Sequence, residues 1–187
     1  MTEEVQKTGT HILNGGIILY PTDTIWGIGC DATNQEAVHK IYKIKQRSDR
    51  KSMLVLMNKP SMLSGYMKGV PETAMEIIRS ASKPTTIIYP NAKNFAPNLL
   101  SEDGSIGIRI TSDPFCSQLI EQTGKPIVST SANISGDSSP ASYRDIDMAL
   151  RSFVDYVVNW RQEEIIQSSP STIIKLNDQG GISIIRS

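Results

Sequence analysis

An α/β fold in a single domain, a mixed β-sheet with flanking helices, is what the sequence predicts. Three observations predict it. Short β-branched runs alternate with amphipathic helical patterns along the whole chain, the pattern of helices packed on a sheet. At 187 residues the chain lies inside the usual span of one domain, roughly 100 to 200 residues, and no repeat, low-complexity tract or charged linker divides residues 1–187. The last strand candidates follow each other too closely for a helical crossover, so neighbours there run antiparallel and the sheet is mixed.

Taken in order, residues 16–20 are the first strand candidate, an apolar run that breaks at Pro21 and re-forms between Gly27 and Gly29, because proline brings no N–H to a ladder. A helix follows. Thr33 and Glu36 have capping-box spacing, and Ala37, Val38, Ile41 and Tyr42 recur on one face; the other face is basic. Further strands are expected at 52–57, 85–89, 105–110, 127–131, 156–159, 171–176 and 182–185, where β-branched residues cluster between turn formers. Further helices are expected after Pro71 (Ala74, Ile77, Ile78), after Asp113 and Pro114 (Phe115, Leu119, Ile120) and after Ser142 (Ile146, Leu150).

Composition excludes several classes. A hydrophobic fraction of 39% and a charged fraction of 20% are those of a globular chain, not of a disordered tail or a coiled coil. Nineteen basic and nineteen acidic residues cancel, so no polycation draws the protein onto nucleic acid or membranes and any anion site is local. Cys30 and Cys116 are too few for a disulfide scaffold and sit in no metal-ligand spacing, as expected of structural thiols in a reducing compartment. The N-terminus, with Glu3 and Glu4, has no apolar leader region, and runs such as 17–20 are far shorter than the ~18 residues of a membrane span. A soluble cytoplasmic protein is expected.

Three stretches carry chemistry. Residues 40–51 hold Lys40, Lys43, Lys45, Arg47, Arg50 and Lys51 against one acid, Asp49. Such a run is often a solvated helix face, but Lys45, Arg47 and Lys51 fall at a helix end and in the loop before a strand, where α/β proteins place ligands. A polyphosphate suits them, arginine gripping oxygens in pairs and lysine adding a compact charge. In Ser129-Thr130-Ser131-Ala132-Asn133-Ile134-Ser135-Gly136, five of eight side chains carry a hydroxyl or amide. These neutral groups can hold phosphate oxygens or a hydrated cation, or form a plain polar turn. In the segment 20–29, Thr22 and Thr24 stand two apart, so in an extended chain they point the same way, toward a small polar ligand or simply as β-formers, and Trp26 belongs in the core.

These stretches, with Gly107-Ile108-Arg109 and Ser169-Pro170-Ser171-Thr172-Ile173-Ile174, stand in the order shown by the YrdC/YciO family: Pro-Thr-(acid)-Thr-x-(aromatic)-Gly-x-Gly, Lys-x-Arg, Gly-x-Arg, Ser-x-Ala-Asn-x-Ser-Gly, then Pro-Ser-Thr. Each motif is weak alone. Five in order over nearly the whole chain resemble that family strongly. The resemblance implies a twisted mixed sheet around a basic concave pocket, and the activity of the TsaC-like single-domain enzymes, threonylcarbamoyl-AMP synthases. These are nucleotidyltransferases that join L-threonine, bicarbonate and ATP into threonylcarbamoyl-adenylate and pyrophosphate for the t6A modification of tRNA. Partners implied are ATP, L-threonine, bicarbonate, proteins that take up the threonylcarbamoyl product, and tRNA or double-stranded RNA.

By the family's motif positions, Lys45 and Arg47 face the ATP phosphates and carry catalysis, with Lys51 as helper. Ser131, Asn133, Ser139 and Arg186 line the nucleotide site, and Thr22, Arg109, Ser129 and Ser171 hold threonine, Arg109 through its carboxylate. Mg2+ arrives with ATP, since no carboxylate cluster has ligand spacing. No Ser-His-Asp arrangement is readable either: His11 and His39 lie on helix patterns as surface or packing residues. There are departures. Ser48 stands where proline commonly follows Lys-x-Arg, and Ala81-Ser82-Lys83-Pro84-Thr85-Thr86 stands where a Trp-Pro-Gly-Pro-x-Thr run is usual. The alternatives are an RNA-binding or translation-associated module, since a basic concavity can also meet an RNA backbone, and a YciO-like relative without synthase activity.

Overall fold

The computed structural model describes residues 1–46, 53–164, 170–177 and 179–186. Its strands are β1 (Ile18–Tyr20), β2 (Gly27–Gly29), β3 (Leu54–Met57), β4 (Thr85–Tyr89), β5 (Ile106–Ile110), β6 (Ile127–Ser131), β7 (Tyr156–Val157), β8 (Thr172–Leu176) and β9 (Ile182–Arg186). They form one nine-stranded sheet in the order β7-β1-β2-β6-β3-β5-β4-β8-β9. The pairs β1/β7, β3/β5 and β4/β8 are parallel and the other neighbours antiparallel, so the mixed sheet is as expected.

The helices are α1 (Thr2–Leu13), α2 (Gln35–Ile44), α3 (Leu63–Tyr66), α4 (Glu72–Ser80), α5 (Pro114–Thr123) and α6 (Met148–Ser152). The capping box expected from Thr33 to Glu36 is not the start of α2. Asn34 is the N-cap, its side chain accepting from the amides of Glu36 and Ala37, and Thr33 instead bonds the Asp31 carboxylate through N–H and hydroxyl, both at 2.7 Å. Asparagine at the cap leaves threonine free to close the preceding turn. Asp113 caps α5 before Pro114, and Gly124 ends it at φ +64°, where a side chain would be strained.

Each sheet face buries its own core. Ile18 and Tyr20 of β1 and Leu56 of β3 meet Val5 and Ile12 of α1 and Phe115 of α5. Leu19, Val55 and Met57, one residue out of phase, meet Val38 and Ile41 of α2 on the opposite side, with Trp26, the alternation that a strand buried on both faces demands. Gly29 allows β1, β2 and β6 to lie this close. A Cβ there would stand 2.4 Å from the Val128 carbonyl and 2.7 Å from the Tyr20 ring. Among the described residues no helix is long and apolar enough to cross a membrane.

Candidate active site

On the face held by α1 and α5, those helices pack over β1, β3 and β6, and beyond them a cavity of about 280 Å³ opens. Strand phase decides what lines it. Thr86 and Ile88 of β4 and Gly107 and Arg109 of β5 face the cavity, while Ile87, Tyr89 and Ile108 point into the core behind. Ser129 and Ser131 of β6 share this side, joined by Ser139, Ser171 and Arg186 from segments that follow. Among the described residues the only charged side chains on the lining are Arg109 and Arg186, so the cavity is polar, cationic and without a carboxylate.

Arg109 is 2% exposed. Its Nη2 donates to Asp23 Oδ1 at 2.8 Å and to Thr24 Oγ1 at 3.3 Å, whereas its buried Nε has no acceptor. A buried cation that is half satisfied costs free energy. The guanidinium is thus held through Nη2, and its Nε is a donor left for a further acceptor such as a carboxylate. Thr86, directly opposite Arg109 in the β4/β5 register, shares a 2.8 Å hydrogen bond with Ser171. Arg186 donates twice to the Ser171 carbonyl, at 3.0 and 2.7 Å. One polar line therefore runs along the floor from Arg109 to Arg186.

The residues expected at the site do not all reach it. Arg109, Ser129, Ser131, Ser139, Ser171 and Arg186 line the cavity. Arg47 and Lys51 lie outside the described residues. Thr22 stands behind the lining: the segment 23–25 bends instead of extending, so the two threonines meet through a turn, hydroxyl to hydroxyl at 3.0 Å, with Thr22 also donating to Ile25 O at 2.7 Å. Thr24 is the one that faces the cavity. Asn133 braces the loop after β6, its amide donating to the carbonyls of Ile134 and Asp137. Lys45, expected on an open basic segment, is buried instead. Its ammonium donates to the carbonyls of Ser131 and Asn133, both at 2.6 Å, because the end of α2 packs under the loop.

Sequence reasoning missed Asp23 and Thr86 as site residues, and paired Thr24 with Thr22 where only Thr24 lines the cavity. Both lie in segments already singled out; the pairing of β5 with β4 brings Thr86 to Arg109, and the ion pair brings Asp23. Burial pushes the thiols of Cys30 and Cys116 well above their ordinary value, so neither is a thiolate nucleophile at neutral pH. Among the described residues no three His, Cys, Asp or Glu side chains gather as a metal site.

The profile of the Sua5/YciO/YrdC family, described as telomere recombination, matches residues 10–187. The chain belongs to this family. It is 30% identical over 159 residues to a threonylcarbamoyl-AMP synthase of Stenotrophomonas maltophilia, covering 83% of this chain and 86% of that one. The fold superposes on E. coli YciO with a TM-score of 0.86 at 25% identity, over 100% of this chain and 90% of that one. Against P. abyssi Sua5 complexed with L-threonine the TM-score is 0.88 at 23% identity, over 97% of this chain and 53% of that one. The chain thus spans about half the length of that Sua5 structure, and the likeness there is one of fold.

Proposed function

We propose that this Sua5/YciO/YrdC chain is an L-threonylcarbamoyladenylate synthase, a nucleotidyltransferase that uses ATP. The observation that carries the proposal is Arg109, a buried guanidinium held at one edge by Asp23 and Thr24, with Nε unpartnered, on the wall of a hydroxyl-lined cavity. The rest of the guanidinium, including Nε, takes the threonine carboxylate, and the hydroxyls of Ser129 and Ser171 take the rest of the amino acid. The threonine amine and bicarbonate lose water to form a carbamate. A carbamate oxygen then attacks the α-phosphorus of ATP and pyrophosphate leaves.

The carbamate oxygen already carries charge, so positioning and charge stabilisation do the work and no strong general base is required. Ser131, Ser139 and Arg186 line the end that receives the phosphates. Arg47 and Lys51, from the basic segment, add cations there. Lys45 serves from beneath: its ammonium rests on the Ser131 carbonyl at 2.6 Å, and it fixes the loop that Asn133 braces. Thr22 holds the turn that presents Thr24. Mg2+ enters with ATP as part of the substrate. The adenylate passes to proteins that transfer the threonylcarbamoyl group to tRNA, a cytoplasmic role.

One observation favours a second reading, a YciO-like protein without this activity: Ala81-Ser82-Lys83-Pro84-Thr85-Thr86 stands where the Trp-Pro-Gly-Pro-x-Thr run is usual. Pyrophosphate release from ATP separates them. The synthase releases it only when threonine and bicarbonate are both present; release without threonine, or none from folded protein, overturns the proposal.

A further inference from the structure

Behind the same two strands lies a second cavity of about 290 Å³, as large as the first. Strand phase places it on the opposite face. Ile87 and Tyr89 of β4 and Ile108 and Ile110 of β5 line it, the residues out of step with Thr86, Gly107 and Arg109. Its outer wall is Ile77 and Ile78 at the end of α4, and its mouth is Ala81, Ser82 and Lys83. That mouth is the segment where small residues stand in place of the tryptophan and proline of the related run. The helix therefore ends without a bulky side chain to close the gap over β4.

The lining is mixed: Ser82, Thr85, Thr111 and Ser112 stand among the isoleucines. Asp23 lines this cavity as well. Only its Oδ1 is engaged, by Arg109 at 2.8 Å; among the described residues Oδ2 accepts no hydrogen bond, although the side chain is just 12% exposed. A carboxylate oxygen open to a cavity that also offers apolar surface is a site for a cationic donor with an apolar body. The C-terminal carbonyls of α4, which end at this cavity, favour positive charge as well. Asp23 and Lys83 are the only charged residues among those described on the lining, and Lys83 is exposed, at the rim.

We propose that this cavity binds a small molecule with an ammonium group on an apolar body, the ammonium on Asp23 Oδ2 and the body against Ile77, Ile87, Ile108 and Ile110. Two sources share that chemistry. An apolar amine uses Asp23 alone, and an apolar amino acid also offers a carboxylate to Lys83. Because Arg109 already neutralises Asp23, binding is weak, near the millimolar range. Occupancy draws on the carboxylate that holds Arg109, so a ligand here and a carboxylate ligand in the first cavity change each other's affinity by the same factor. That consequence, unlike the site itself, rests on the proposed synthase reading.

The test is titration of the full chain, methyl-labelled at isoleucine, with 3-methylbutylamine, L-leucine and 3-methylbutanoate, followed by NMR without ATP or threonine. The amine should shift the methyls of Ile77, Ile87, Ile108 and Ile110, and the acid should bind at least about tenfold more weakly, as expected for loss of one charge-assisted bond. Leucine binding more tightly than the amine assigns the site to amino acids; leucine binding more weakly assigns it to amines. Asp23→Asn should abolish the amine response, and Ala81→Trp, which fills the mouth and leaves Asp23 in place, should do the same. Unshifted methyls, equal binding of amine and acid, or amine binding undiminished in a folded Asp23→Asn protein would overturn the proposal. All these readouts are independent of turnover, so a protein lacking synthase activity leaves them interpretable.

Discussion

Replacing Arg109 by lysine keeps the charge and removes the fork. In the structure Nη2 is committed to Asp23 and Thr24, so an incoming carboxylate must bind through the rest of the guanidinium, including the unpartnered Nε. Lysine presents one compact ammonium, which can stay with Asp23 or turn to the substrate but cannot hold both in this geometry. At least one charge-assisted hydrogen bond to threonine is then lost, worth about 1.5 to 3 kcal/mol. The expected loss in threonine affinity is about tenfold to a hundredfold. ATP, which the proposed arrangement puts at the other end of the cavity, should bind within about twofold of wild type, below half a kcal/mol. Calorimetric titration of wild type and Arg109→Lys with each substrate reads both numbers. Equal losses for threonine and ATP, or none for threonine, would refute the placing of the carboxylate on Arg109.

Lys45→Met should lower stability by about 1 to 3 kcal/mol through loss of the two ammonium bonds to the Ser131 and Asn133 carbonyls, the first of which keeps the Asn133 amide as a donor, a Tm drop of several degrees at about 2 to 4 °C per kcal/mol for this size; an unchanged Tm by scanning calorimetry would contradict it. Asn34→Ala should cost about 1 kcal/mol in urea denaturation, the worth of a helix cap, and Thr33→Ala, which caps no helix, should cost less. Asp103 is held at about 2, chiefly by the Ser105 hydroxyl, then by Lys175. Its folded value lies below the ordinary 3.8, so its contribution is present above that pH and is lost as the pH falls toward 2. The carboxylate is half-exposed and the effect small, visible as a flatter acid limb of the stability curve in Asp103→Asn.

Strand positions were legible because β-branched residues cluster between turn formers: 85–89 and 127–131 are found where those runs put them. Strand order was not. Nothing local in Gly107-Ile108-Arg109 says that Arg109 lies across from Thr86, and that pairing assembles the floor of the cavity. Ser129, Ser131, Ser171 and Arg109 were legible as site residues through their motifs. Lys45 shows the limit of reading a charge run: six cations within twelve residues suggest an exposed face, yet which of them turns inward depends on carbonyls more than eighty residues away. Thr33 and Asn34 show the same at short range, since either can cap a helix and only the competing bond to Asp31 decides.

The most direct test of the synthase reading is mass spectrometry of the products formed from ¹³C-bicarbonate, ¹⁵N-threonine and ATP. One adenylate carrying both labels, formed together with pyrophosphate and missing when Arg109 is replaced by glutamine, is the predicted result. Adenylate without threonine nitrogen, or ADP as the sole nucleotide product, would contradict it.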